Sequence, residues 1–232
     1  MTASWFLKTL IVLLPNFGFA LSHQCQSPIV EIEAPELTPS LNQKLPVNFR
    51  KVTHFLYRGG RVENLTQAQS LAQLGIKTVI NLQGGDYNDP TGINFLGENN
   101  WHEWLPKMEP GEAPSEISAE NQRFIVANIP GLNYYSFPLN TFSYIRPEAA
   151  DKIQQVLKIL NDPKTPRPIY LHCAHGIDRT GLLIAMYRVS TQNYCVADAH
   201  QEWFDYGHNY SRALFTGGLD YFFYSYFSSH EQ

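Results

Sequence analysis

Apolar residues recur along this chain in short bursts whose spacing switches between that of a strand and that of a helix. His54 to Arg58 has the length of a short strand and is closed by Gly59 and Gly60. Thr66 and Gln69 stand three apart, the spacing of a capping box, in which hydroxyl and amide satisfy each other's free backbone N–H groups. Ala68, Leu71 and Ala72 follow at helical spacing, and Gly75 supplies the stop. Ile76 to Leu82 then reads as a second strand. This strand–helix–strand order predicts a parallel pair with a right-handed crossover.

From Asp86 to Glu116 the rhythm is lost among Pro90, Pro106, Pro110 and Pro114, and residues 86–116 are taken as an irregular insertion. Loops of that length in a compact domain are usually functional or mobile. A helix over Glu116–Asn128 and a strand over Asn133–Pro138 restore order. Pro147 opens the next helix, whose Ile153, Val156, Leu157 and Leu160 form one apolar stripe. Ile169–His172 is a short apolar strand, and Leu182 to Val189 carries an apolar helix. The aromatic-rich stretch Trp203–Phe227 is expected to form two helices packed around that one, with a partner or membrane surface as the alternative. The pattern predicts an α/β domain over residues 49–232, with a small, mainly parallel sheet flanked by helices.

The start of the chain belongs to a different class. Lys8 is the only Asp, Glu, Lys or Arg before residue 31 and precedes the apolar run Leu10–Ala20. That is the pattern of a secretory signal, residues 1–20, with cleavage after Ala20 or, second, after Ser22. Pro15 and Asn16 interrupt the run, which argues against a spanning helix, and Cys25 lacks the small residues that precede a lipid-modified cysteine. The expectation is an exported protein, periplasmic or secreted, with residues 21–48 as an extended connector rich in proline.

Composition narrows the chemistry. With 44% apolar and 16% charged residues, the 232-residue chain is globular rather than disordered. A net charge of −4 offers no general attraction for nucleic acid or an anionic membrane, so an anionic substrate needs a local site. Three cysteines are too few for a disulfide scaffold.

That local site is His172-Cys173-Ala174-His175-Gly176-Ile177-Asp178-Arg179-Thr180-Gly181, lying between a strand and a helix. Free backbone N–H groups and the helix dipole converge at such a turn and favour an anion. Cys173 sits where the same field favours its thiolate. Arg179 can take two phosphate oxygens in its planar fork, and Thr180 can donate to the sulfur. A metal reading of His172, Cys173 and His175 is disfavoured, because adjacent strand residues point to opposite faces and no fourth ligand stands at a usual spacing.

This Cys-x5-Arg-Thr loop resembles that of the cysteine-dependent protein phosphatases, in particular the compact dual-specificity branch with its bacterial and atypical fungal and plant members. Asn48-Phe49-Arg50, Leu56-Tyr57-Arg58, Leu74 to Leu82 and Ala185-x-Tyr187-Arg188 extend the resemblance over residues 48–228, apart from the insertion. It implies phosphomonoester hydrolysis without metal or other cofactor. Cys173 would attack phosphorus while the loop, residues 174–179, and Arg179 hold the oxygens, and water would then hydrolyse the phosphocysteine. The implied substrate is a phosphorylated protein or small phosphomonoester. An inositol phosphate or phosphoinositide is the alternative, and a catalytically inactive phosphate-binding module is the alternative of another class.

The leaving-group acid departs from the family pattern. Relatives commonly carry an Asp before the helix that precedes the nucleophile strand, yet residues 138–146 hold no carboxylate. Asp178 is ranked first because some phosphoinositide phosphatases carry an Asp there; Glu148, Asp151 and Asp86 follow. Arg58 is expected either to reach the phosphate or to tie its strand to the sheet. Cys195 is read as a buried cysteine, with a resolving thiol or a Cys25–Cys195 disulfide as alternatives.

Overall fold

The computed structural model describes residues 27–28, 44–83, 126, 129–139, 147–209 and 213–228, with backbone alone at 147–149 and 213–217. The expected signal, nearly all of the expected connector, the stretch 86–116 read as an insertion, residues 140–146, Asp86 and Cys25 lie outside the described residues, as does nearly all of the helix expected over 116–128.

Five strands form one sheet: β1 Arg50–Lys51, β2 Leu56–Gly59, β3 Thr78–Gln83, β4 Asn133–Leu139 and β5 Ile169–His172. Their order is β1-β2-β5-β3-β4, and only β1 runs antiparallel to its neighbour. The helices are α1 Leu65–Gln73, α2 Pro147–Asn161, α3 Asp178–Gln192, α4 Val196–Asp205 and α5 Ala213–Ser228. The expected mixed α/β class with a mainly parallel sheet is what the chain adopts. One detail differs: β2 and β3 run parallel but are not partners, because β5 inserts between them, pairing Ile169 with both Leu56 and Thr78. Local spacing carries no information about a strand arriving some ninety residues later.

Alternation along the strands divides the core. Val79 and Tyr170 face one layer with Ala68 and Leu71 of α1. Ile80, Leu82, Ile169 and Leu171 face the other, built from α2, α3, α4 and α5. The predicted stripe Ile153, Val156, Leu157 and Leu160 is buried in this second layer. So are Trp203, Leu219 and Phe223, with Phe222, Tyr226 and Phe227 packed partly buried against it, while Tyr221 and Tyr224 stay exposed. No helix among the described residues is long and apolar enough to cross a membrane.

Two element starts moved. The cap of α1 is Asn64, whose side chain accepts from Gln67 N, while Gln67 Oε1 accepts from Glu63 N at 2.7 Å, one residue before the cap; the cap therefore lies two residues before Thr66. β2 begins at Leu56 because Thr53 Oγ1 accepts from the N–H groups of Phe55 and Leu56, holding the preceding residues in a turn.

A buried arginine joins two helices of the second layer through an ion pair. Arg188 Nε and Nη2 donate to the two carboxylate oxygens of Glu202 at 2.9 and 3.0 Å, joining α3 to α4, and Nη2 also reaches Val52 O. Arg188 is buried and Glu202 about a fifth exposed. Glu202→Ala leaves that guanidinium underpaired, and a loss of about 3 kcal/mol in urea unfolding is expected. Arg188→Met with Glu202→Leu should recover much of it, since a desolvated pair replaced whole costs far less than one broken.

Candidate active site

The site grows out of the middle of the sheet. β5 is flanked on both sides by parallel neighbours, and the chain leaves its C-terminal end at Cys173, turns through residues 174–177 and enters α3 at Asp178. Ligands of open parallel sheets gather outside such strand ends.

Every carbonyl of the turn is held from outside it. His172 Nδ1 lies 3.3 Å from Cys173 O. Arg61 N donates to Ala174 O at 3.1 Å, and Asn48 Nδ2 to His175 O at 3.0 Å. Arg58 Nη2 donates to Gly176 O at 2.8 Å, and Trp203 Nε1 to Ile177 O at 3.2 Å. In a trans peptide the N–H of the next residue points opposite the carbonyl. With the carbonyls anchored outward, the following N–H groups turn into the loop and form a nest for an anion.

Gly176 completes the turn in the left-handed region, at φ 73°, and an added Cβ there would overlap the Gly59 backbone. The loop therefore rests directly on β2. Gly75, also at positive φ, meets nothing.

At the centre lies the free thiol of Cys173, buried at 2% exposure. Burial pushes its pKa up, but the charge of Arg179 and hydrogen bonds from the Thr180 hydroxyl and the N–H groups of Thr180 and His175 outweigh it, so the thiol is more acidic than usual. The buried Thr180 hydroxyl has no nitrogen or oxygen partner, which leaves it to the sulfur. Arg179 donates from Nη1 to Leu139 O at 3.1 Å, while its buried Nε has no partner. A buried guanidinium N–H beside this acidic thiol is placed to donate to an oxyanion. His172, wholly buried and stacked on Tyr170, is held neutral by desolvation, its pKa lowered to about 4.

The candidates separate as follows. Cys173, Arg179, Thr180 and the 174–178 backbone form one constellation. The His175 side chain is exposed. The Asp178 carboxylate meets His208 Nδ1 at 2.8 Å. Asp151 is exposed on the first turns of α2, which also carry Glu148. Arg58 ties its strand to the phosphate loop rather than to the sheet alone; it is buried, stacks on Tyr206 at 4.2 Å and keeps an unpartnered Nη1. Cys195 is disulfide-bonded. Among the described residues no three His, Cys, Asp or Glu side chains are grouped to hold a metal ion. Sequence reasoning missed Asn48, Trp203, His208 and Asp220. The one visible signal was polar residues without an assigned task within the aromatic C-terminal stretch.

Comparison with known proteins agrees with this arrangement. Inositol diphosphatase DSP2 of Arabidopsis thaliana is 25% identical over 167 residues, 70% of this chain and 63% of that protein. An RNA/RNP complex-1-interacting phosphatase homolog of Caenorhabditis elegans is 40% identical over 50 residues, 21% of this chain and 22% of the relative. The chain thus spans less than two thirds of either curated relative. Among solved structures, Pseudomonas aeruginosa TpbA superposes with TM-score 0.50 at 21% identity, covering 83% of this chain and 89% of TpbA. The catalytic core of the PP-IP phosphatase SIW14 from Saccharomyces cerevisiae, in complex with citrate, gives 0.51 at 21% identity, covering 78% and 87%. Likeness at that identity shows a shared fold. The family model described as the tyrosine phosphatase family matches residues 45–222. A loop that surrounds an acidic thiol with inward N–H groups and an arginine, on this fold and with this match, means that the chain belongs to the tyrosine phosphatase family.

Proposed function

We propose that the protein hydrolyses phosphomonoesters through a phosphocysteine at Cys173. In the first step sulfur bonds to phosphorus, the ester P–O bond breaks, and the leaving oxygen takes a proton from a carboxyl group. In the second, that carboxylate takes a proton from water as the water oxygen bonds to phosphorus and the S–P bond breaks, returning the thiolate and the carboxyl group and releasing inorganic phosphate. Arg179 and the loop N–H groups hold the equatorial oxygens throughout, and the Thr180 hydroxyl eases departure of the sulfur. The observation that carries this reading is the outward anchoring of all five loop carbonyls around a thiol made acidic by Arg179.

The test is phosphate release from nitrophenyl phosphate. Arg179→Lys keeps the charge but loses the fork, and kcat/KM should fall by about 10²–10³. A metal chelator should leave the rate unchanged. A rate abolished by chelation, or indifferent to Arg179→Lys, contradicts the reading. A phosphate-binding module would instead bind phosphopeptides while the wild type releases nothing.

Phosphotyrosine in proteins is the favoured substrate class. Ala174, His175, Gly176, Ile177 and Asp178 add no Lys or Arg to the loop, and the insertion carries seven carboxylates against Lys107 alone, a poor setting for a highly charged inositol phosphate. The names of DSP2 and SIW14 favour the second reading, an inositol phosphate. A phosphotyrosyl peptide should therefore show higher kcat/KM than inositol hexakisphosphate, and the reverse order selects the second reading.

Export is part of the proposal. Cys195 is disulfide-bonded, and its N–H donates to Ser27 Oγ at 2.9 Å, bringing a residue just beyond the expected cleavage site against the N-cap of α4. Disulfides persist in oxidising compartments. N-terminal sequencing of the mature protein should begin at Leu21 or His23; a retained Met1 contradicts export.

A further inference from the structure

The His208 imidazole is buried, stacked 4.0 Å from the Trp203 ring with its edge toward carboxylates on both sides. Nδ1 lies 2.8 Å from Asp178 Oδ1, and Nε2 lies 3.0 Å from Asp220 Oδ2. Asp220 Oδ1 also meets His200 Nε2 at 2.8 Å. An ionised carboxylate can only accept from an imidazole, so two aspartates that stay ionised require a proton on both ring nitrogens of His208. The residue is a buried imidazolium clasped between α3 and α5.

The clasp bears on the phosphate loop twice. Asp178 is the residue at which the loop becomes α3, and Trp203, against which His208 stacks, donates to Ile177 O. An imidazolium that pulls on the Asp178 side chain and backs the Trp203 ring fixes both sides of the peptide whose N–H faces the loop interior. We propose that His208, backed by Asp220, is a positioning residue of the phosphate loop, and that Asp178 is the group it grips rather than the acid that protonates the leaving oxygen.

This rests on the phosphatase reading and reverses the rank given to Asp178 from sequence. A carboxylate accepting a hydrogen bond from a cation is committed to that cation. The leaving-group proton must then come from outside the loop, and Glu148, Asp151 and Asp86 are the remaining candidates.

The grip should be sensitive to pH in a defined direction. Burial lowers the pKa of His208, but hydrogen bonds from it to Asp178 and Asp220, with their charges, raise it to about 9. The facing groups are Asp178 from α3, Asp220 from α5 with His200 behind it, and the uncharged rings of Trp203 and Phe204 from α4. A folded pKa above the ordinary value of about 6.5 gives a stabilisation fully present below that value and lost as pH rises through about 9. The KM of an aryl phosphate should therefore climb near pH 9 in the wild type.

The experiment compares wild type, Asp178→Asn, His208→Gln and the double variant on nitrophenyl phosphate and an alkyl phosphate, from pH 6 to about 10. Each single variant should lose about tenfold in kcat/KM, chiefly through KM, by the same factor on both substrates. The losses should not multiply in the double variant, since both remove one bond. His208→Gln should also flatten the rise in KM near pH 9. A far larger loss for Asp178→Asn on the alkyl phosphate, whose leaving oxygen needs a proton, would overturn the proposal. So would multiplying losses, or a His208→Gln enzyme identical to wild type. Imidazole nitrogen NMR of the intact wild type at neutral pH supplies a readout that requires neither a variant nor turnover. Two protonated nitrogens on His208 support the clasp, and a neutral ring overturns it. If the wild type releases no phosphate, the phosphatase reading falls, and the clasp is then judged by that NMR signal and by whether Asp178→Asn weakens binding of inorganic phosphate.

Discussion

Cys173→Ser is expected to reduce phosphate release from an aryl phosphate by at least about 10⁴-fold while leaving the unfolding midpoint nearly unchanged. A serine hydroxyl fills almost the same space, so the buried wall of the loop is kept. What disappears is the acidic, polarisable sulfur. The acidity of Cys173 comes from Arg179, Thr180 and inward N–H groups acting on a polarisable sulfur, and the same field leaves an alcohol protonated at neutral pH. Removing an activated nucleophile in other enzymes that work by covalent catalysis costs losses of that order or more. Because Arg179 Nε and the nest remain, the variant should still bind inorganic phosphate. Loss of turnover with retained binding separates a missing nucleophile from a collapsed site.

Gly176→Ala should also damage turnover, by a different route. The new methyl group faces the Gly59 backbone, which is pinned in β2 between β1 and β5 and cannot retreat. Relief comes only by lifting the loop off β2. That movement pulls Gly176 O away from Arg58 and shifts the N–H groups that line the nest. Displacement of a reacting group by about 1 Å costs on the order of 100-fold, so kcat/KM should fall by at least that factor. Gly75→Ala is the control. It shares a positive φ but meets open space, so it should cost about 1 kcal/mol of stability and leave turnover unchanged.

These two expectations also mark where the sequence was legible. The run from His172 to Gly181 carries strand end, turn and helix start in ten consecutive residues, so its chemistry is local and readable. The stripe Ile153, Val156, Leu157 and Leu160 was readable for the same reason, because burial on one helix face is a local rhythm. Overlapping Asn-x-x-Gln and Thr-x-x-Gln patterns at 64–67 and 66–69 are locally equivalent, and burial of Ala68 and Leu71 accompanies the earlier cap. The insertion of β5 between β2 and β3 and the meeting of Asp178 with His208, 30 residues later, are tertiary events. No spacing rule connects them. Ranking Asp178 first as the acid weighed only its place beside Arg179, whereas packing of α4 and α5 against α3 also brings it the His208 ring.

The claim on which the account turns is the covalent phosphorus–sulfur bond. It is tested most directly by mixing the wild-type protein with an aryl phosphate, quenching during turnover and locating the added phosphoryl group by peptide mass spectrometry under conditions that preserve thiophosphates. The account predicts one phosphoryl group on the peptide carrying Cys173, absent from Cys173→Ser and lost to water when the quenched sample is treated with iodine, which oxidises the sulfur and cleaves the phosphorus–sulfur bond. Turnover that proceeds with the label on another residue, or with Cys173 fully protected from modification and no slower, would contradict it.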